Sequence, residues 1–167
     1  MVRRAVHRRM IAPPAERHTD DLLELACATG LFTPAEADAL LRRTLEGFHA
    51  GALGDGHHVL VRRSDGGKAL GWVYFSPDPH AEDAWELWWI GVDPARQRHG
   101  VGAELLREVE LQVARAGGRL VMIATSSLPP LAAARSFYVQ HGYARCGQVP
   151  DYYGRGDDKV IFAKVLA

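Results

Sequence analysis

The spacing of apolar residues changes several times along the chain, and each change marks an element. Val2, Val6 and Ile11 alternate with charged residues, so residues 2–11 read as a first strand closed by Pro13 and Pro14. Thr19 then caps a helix running through Leu22, Leu23, Leu25 and Ala26 to Gly30. Thr33, Pro34 and Glu36 supply a capping residue, a proline at the first helical position and the returning carboxylate of a capping box. Leu40, Leu41, Leu45 and Phe48 give that second helix its apolar stripe, and Gly51, Gly54 and Gly56 end it.

Residues 57–63 and 69–76 are β-rich runs on either side of a glycine-bearing turn, which predicts a hairpin. Residues 85–92, TrpGluLeuTrpTrpIleGlyVal, place large side chains at both parities, as a central strand covered on both faces requires. Leu105, Leu106, Val109, Val113 and Ala116 recur at helical spacing until Gly117 and Gly118, and residues 120–124 form a compact strand, completing a β-α-β crossover. A helix over 131–141 ends at Gly142. Strands at 143–149 and 158–165 then close the chain around the loop ProAspTyrTyrGlyArgGlyAsp.

Composition narrows the picture. With 167 residues, 47% of them hydrophobic, the chain can bury one sizeable core, so a single domain over 1–167 is expected. Twenty basic side chains balance twenty acidic ones, leaving no overall field to recruit nucleic acid. Arg3, Arg4, Arg8 and Arg9 form one local patch and read as the solvated edge of the first strand. Cys27 and Cys146 have neither disulfide nor zinc spacing, and His57 with His58 lacks a third ligand, so no metal is expected. No uncharged run approaches the length of a bilayer span. These features predict a cytoplasmic protein with no membrane partner.

The most informative segment is 92–106, ValAspProAlaArgGlnArgHisGlyValGlyAlaGluLeuLeu, which joins the central strand to an amphipathic helix. A helix N-terminus leaves amide hydrogens without internal partners and carries partial positive charge, so it attracts anions. Gly100 and Gly102 remove the Cβ atoms that would hold a phosphate away from those amides, and Arg96, Arg98 and His99 add charge at the rim. The bland alternative is a loop with glycines for turning. A Walker A loop would need Gly-Lys-Ser/Thr, and a Rossmann loop would need a small residue at Leu105 and an acid after the next strand; neither is present.

Downstream stands AlaArgSerPheTyrValGlnHisGlyTyr, residues 134–143. With QxxGxG at 97–102 and PheTyr four residues before GlyTyr, the chain resembles the GNAT superfamily of acyl-CoA-dependent N-acetyltransferases. The resemblance implies an α+β (α/β/α) fold. Its mixed, mostly antiparallel sheet would have about six to seven strands and four helices, splayed between the central strand and the strand after the crossover helix. It implies acetyl-CoA as cofactor and a primary amine of a small molecule or peptide as acceptor, and it allows a homodimer.

By the same resemblance, the diphosphate would rest on Gln97, Arg98, His99, Gly100, Val101, Gly102 and Ala103. The pantetheine arm would lie along Ile90, Gly91 and Val92, with the Ile90 amide donating to the thioester oxygen. Glu86, eleven residues before Gln97, is either the general base or a structural or substrate-orienting carboxylate. Its tryptophan neighbours Trp85, Trp88 and Trp89 favour a raised pKa through desolvation. Tyr138 would contact the cofactor and protonate the departing thiolate, while Phe137 supplies core bulk; the alternative is that Tyr138 itself packs helix on sheet. The acceptor would meet Glu86, Trp88, Phe32, Asp151, Tyr152 and Tyr153.

One departure stands out. Relatives often have asparagine seven residues before the tyrosine, where this chain has Leu131. Ser126 or Ser127 either contacts the cofactor or acceptor or caps the following turn, and capping is the reading preferred. Two other functions remain open: a non-catalytic acyl-CoA binding or sensing module, and, more remotely, a DNA-binding helix pair around Gly30. Glu36 and Asp38 at the start of the second helix argue against the latter.

Overall fold

A computed structural model describes residues 10–166. Its strands are β1 (Ile11–Ala12), β2 (His58–Arg63), β3 (Ala69–Pro77), β4 (Ala84–Val92), β5 (Leu120–Ser126), β6 (Ala144–Gly154) and β7 (Asp157–Val165). They form one seven-stranded sheet in the order β1-β2-β3-β4-β5-β7-β6. The sheet is mostly antiparallel, with β4 and β5 parallel. The helices are α1 (Thr19–Ala28), α2 (Pro34–Ala37), a π-helical segment (Asp38–Arg42), α3 (Arg43–His49), α4 (Val101–Arg115) and α5 (Ala132–Gln140). Residues 34–49 are one continuous helical run, so the described residues contain the four helices expected, and the α+β class holds.

The chain divides into two compact units, Met1–Ser76 with Trp89–Val109, and Pro77–Trp88 with Glu110–Ala167. Strand β4 contributes its first half to the second unit and its second half to the first.

The first unit packs α1 and the 34–49 run on β2 and β3. Leu22, Leu45, Val59, Val61 and Trp72 are fully buried, and the Trp72 indole N–H donates to the Leu22 carbonyl at 3.1 Å, so the largest core side chain leaves no orphan donor. The capping box forms as expected: Thr33 Oγ1 accepts from the Glu36 amide at 3.3 Å, and Glu36 Oε2 accepts from the Thr33 amide at 2.8 Å.

Three local readings change. Thr19 is the first residue of α1 rather than its cap; it is buried and its hydroxyl donates to the Glu16 carbonyl at 2.9 Å. Leu40 is 59% exposed, because the π-helical segment inserts a phase shift that turns it out of the stripe kept by Leu41 and Leu45. Of the first strand expected over 2–11, Ile11 pairs with Arg62, joined by Ala12 with Val61, and Met10 is a bend whose carbonyl accepts from the Arg63 amide at 2.9 Å; residues 2–9, with the arginine patch, lie outside the described residues.

Gly71 on β3 marks where α4 meets its sheet. A Cβ there would lie 2.8 Å from the Gly91 carbonyl oxygen, 3.0 Å from Leu105 and 3.1 Å from Val101, so glycine is what permits this approach.

In the second unit, β5 alternates strictly: Val121, Ile123 and Thr125 are buried, while Leu120, Met122, Ala124 and Ser126 are half-exposed. Tyr138 and Phe162 pack with ring centroids 5.7 Å apart, and Tyr143 stands beside Tyr138 at 6.3 Å. The Tyr143 hydroxyl donates to Glu110, which also takes Lys164 at 2.9 Å. The closing loop is shorter than the sequence suggests: β6 runs through Tyr152 and Tyr153 to Gly154, leaving a two-residue turn before β7. Asp151 makes this extension feasible. It adopts φ 51°, its amide donates to Asp158 at 2.9 Å, and its carboxylate accepts from the Gly156 amide at 2.7 Å, replacing ladder bonds lost at the irregularity between Val149 and Gly154.

Candidate functional site

The QxxGxG turn belongs to the first unit and is built by its own side chains. Asp93 fixes its start: the Asp93 amide donates to the Leu70 carbonyl at 2.8 Å, Oδ1 accepts from the Ala95 amide at 3.0 Å, and Oδ2 meets Lys68 at 3.0 Å. The Lys68 contact, with the Ala95 amide, holds the Asp93 carboxyl below the usual carboxylate range. Arg98 and Gly100 both take positive φ, 63° and 83°, and the Gly100 carbonyl accepts the first bond of α4, from the Glu104 amide, at 2.9 Å. Such an alternation curls the chain so that successive amides converge, and the amides of Val101, Gly102 and Ala103 have no partner within the helix.

Residues 94–100 are exposed, and nothing lies within 4 Å of where a Gly100 Cβ would stand. Glu104, in the first turn of α4, is neutralised by Arg62 at 2.5 Å. Its charge is therefore offset where an anion would approach.

Ile90, Gly91 and Val92 form the end of β4. Because the Asp93 amide and the Gly91 carbonyl both face β3, strand alternation aims the amides of Ile90 and Val92 at the opposite edge. The registered β4–β5 pairs run from Ala84↔Leu120 to Leu87↔Ile123 and stop there, although β4 continues to Val92. Trp89 folds over Gly91, where a Cβ would come within 2.3 Å of the indole, and it packs on Trp72 and edge-on against Phe32 with centroids 5.7 and 5.1 Å apart. Phe32 is thus a half-buried neighbour of Trp89.

Within the second unit, Glu86 is half-buried on β4, and Trp88 is 51% exposed. Desolvation pushes the Glu86 carboxyl up; Lys159 opposes the shift and Asp78 adds to it. Tyr153 is also pushed up, by desolvation and then by Tyr152, Asp157 and Glu86. Tyr152 and Tyr153 stand edge to face at 4.9 Å, with the Lys159 ammonium 4.6 Å from the Tyr152 ring centre. Tyr153 and Lys159 therefore stand within electrostatic reach of Glu86, but the Asp151 carboxylate is engaged with the turn of its own hairpin. Sequence reasoning missed Lys159 and Asp78.

Tyr138 is 6% exposed, and burial pushes its phenol up to about 12. Phe137 is only half-buried, its ring tilted against His141 with centroids 4.2 Å apart, so Tyr138 is the more buried of the pair, the reverse of the division expected. Leu131 occupies the N-cap of α5 without a side-chain cap. Ser126 accepts from the Leu128 amide at 3.0 Å, as a cap should, and also bonds Asp157, while Ser127 accepts from the Asp158 amide. An open concavity of about 520 Å³ lies between α5, β6 and β7, lined by residues such as Arg135, Val139 and Arg145, and includes none of the expected site residues.

Comparison with known protein families matches residues 20–143 to the Acetyltransferase (GNAT) family. The chain belongs to the GNAT acetyltransferase family. A solved structure from Desulfovibrio desulfuricans, assigned to GNAT, is 30% identical with a TM-score of 0.87, covering 94% of this chain and 98% of its own. A ribosomal-protein-S18-alanine N-acetyltransferase from Escherichia coli is 19% identical with a TM-score of 0.73, over 94% and 93% of the two chains. An aminoglycoside 6'-N-acetyltransferase solved with coenzyme A is 17% identical with a TM-score of 0.74, over 94% and 97%. The latter two likenesses establish the fold. Among curated protein sequences no match is found. GNAT acetyltransferases use acetyl-CoA. No helix among the described residues is long and apolar enough to cross a membrane.

Proposed function

We propose that the chain, working as one catalytic domain, transfers the acetyl group of acetyl-CoA to a primary amine of a small molecule or peptide by direct attack in a ternary complex. The carrying observation is the turn before α4, where positive φ at Arg98 and Gly100 and the free amides of a 15-residue helix suit the diphosphate. Family membership and the outward amides of Ile90 and Val92 support the rest.

Bound acetyl-CoA supplies an activated acyl carbon and a thiolate leaving group. The residues of the chain then have three tasks. Glu86, directly or through a water, takes a proton from the acceptor ammonium, and its raised pKa brings its basicity closer to neutral pH. The Ile90 N–H donates to the acyl oxygen as negative charge grows there. Tyr138, kept protonated by burial, gives its proton to the leaving sulfur and is reprotonated, through solvent, by the second proton that the nitrogen sheds as the amide forms, while the proton taken by Glu86 passes to solvent. The C–N bond forms, the C–S bond breaks, and the sum is RNH3+ plus acetyl-CoA to RNHAc, CoA thiol and one proton.

Calorimetric titration with CoA and thiol release with a panel of amines test this reading. Tyr138→Phe should lower kcat about 10²-fold or more while leaving CoA affinity unchanged. No heat with CoA refutes the assignment. Leu131 at the α5 cap favours one second reading, a non-catalytic acyl-CoA binding module; binding without turnover of any amine would establish it.

A further inference from the structure

The acceptor side of the second unit contains a cation that the reaction does not use. Met122, Ala124 and Ser126 alternate on one face of β5, and the register pairs them with Ala163, Ile161 and Lys159 of β7 and pairs Met122 with Glu86 of β4. Directly paired and alternate residues share a face, so Glu86 and Lys159 project from the same side of the sheet. The β5 and β7 residues on this face, Met122, Ala124, Ser126, Lys159, Ile161 and Ala163, are half-exposed, in contrast to Val121, Ile123, Val160 and Phe162 on the other face. The face is thus a floor of Met122, Ala124, Ile161 and Ala163, with a carboxylate at one end and an ammonium at the other.

Lys159 is half-buried, yet none of the ion pairs among the described residues includes it. Its ammonium lies over Tyr152, 4.6 Å from the ring centre. Asp157 and Asp158, its neighbours on β7, are engaged elsewhere: Asp157 with Ser126, and Asp158 with Gln148 and the Asp151 amide. Asp78 reinforces the negative end at Glu86.

We propose that Lys159 is a specificity residue that binds the carboxylate of a zwitterionic acceptor, so that the substrate class is an α-amino acid with an apolar or aromatic side chain. The proposal rests on the acetyl-transfer reading above. The amine faces Glu86 and Asp78, the carboxylate faces Lys159, and the side chain lies between the half-exposed floor and Tyr152 with Tyr153. The opposed charges stand farther apart than a direct ion pair, which leaves room for a molecule bearing both complementary charges between them. A polycation would meet Lys159 as a like charge.

The test compares matched acceptors: phenylalanine, tryptophan and methionine against their carboxamides, with acetyl-CoA and a thiol readout. Replacing the carboxylate by a carboxamide lowers the basicity of the amine, so more of it is unprotonated at neutral pH, a bias toward the amides that only a carboxylate contact reverses. The expected result is a kcat/KM for the acids about tenfold or more above the amides, a size suited to a partly desolvated charge contact. Lys159→Met should abolish that ratio, and Lys159→Arg should keep it; circular dichroism of both variants checks folding. Amides used as well as acids, a ratio unchanged in Lys159→Met, or acetylation confined to polyamines would each overturn the proposal while leaving the enzyme assignment intact. CoA binding without turnover of any amine would instead sink the catalytic reading, and this inference with it.

Discussion

Replacing Gly71 with alanine tests whether the donor turn depends on the seating of α4. The new Cβ would stand 2.8 Å from the Gly91 carbonyl oxygen, with Leu105 and Val101 at 3.0 and 3.1 Å. A leucine methyl can yield by rotation, but a backbone carbonyl in a strand cannot without moving β4. Overpacking of this kind costs about 1–3 kcal/mol. Removing a glycine from a strand returns roughly 0.5–1 kcal/mol of chain entropy.

The net loss should be about 1–2 kcal/mol, which for a chain of this length lowers Tm by about 2–8 °C. Because Gly91 and Val101 flank the turn, the same shift should weaken CoA binding about three- to tenfold, a fraction of what a full ångström of misplacement costs. Differential scanning calorimetry and CoA titration read the two effects. Gly66→Ala is the control: a Cβ there meets only Ser64 Oγ at 3.8 Å, and its Tm should change by less than about 0.5 kcal/mol equivalent. A Gly71→Ala protein melting with the wild type and binding CoA equally would refute the account of how α4 is seated.

Two further outcomes follow from the same structure. Thr33→Ala removes the acceptor for the Glu36 amide and should cost about 1 kcal/mol, seen as a lower urea midpoint at unchanged slope. Glu86→Gln should remove the acidic limb of the kcat/KM profile, which in the native protein should lie above the ordinary carboxylate range because burial disfavours the charged form. The stability sign is fixed as well. A raised carboxyl contributes stability that is present below its unfolded value, near pH 4, and is lost as pH rises through its folded value. Urea midpoints of Glu86→Gln should therefore fall less than those of the native chain over that window.

Most elements could be read from period alone. The two parities of residues 85–92 and the helical spacing from Val101 locate β4 and α4 within a residue. Two failures have physical causes. Leu40 was assigned to a stripe because a binary pattern does not reveal a π-helical insertion. The segment at 150–157 looked like a loop because Pro150, Gly154 and Gly156 are turn residues. Side-chain bonds of Asp151 and Asp158 carry the strand pairing through it.

In the candidate site, Glu86 is singled out by the resemblance, which places a carboxylate eleven residues before Gln97. Lys159 was invisible, since a lysine after two aspartates reads as a solvated strand end. Only its register with Ser126 puts it on the Glu86 face. Tyr138 was placed on the right helix, but Phe137 was given its burial, because one residue of phase on a nine-residue helix exchanges inside for outside.

The division of β4 has an evolutionary corollary. In the proposed site the donor turn falls within Trp89–Val109, whereas Glu86, Asp78, Tyr152, Tyr153 and Lys159, proposed to meet the acceptor, are written in other stretches of sequence. On that proposal a descendant can exchange one amine for another through the terminal hairpin, one codon at a time, while the words proposed to recognise coenzyme A stay unedited.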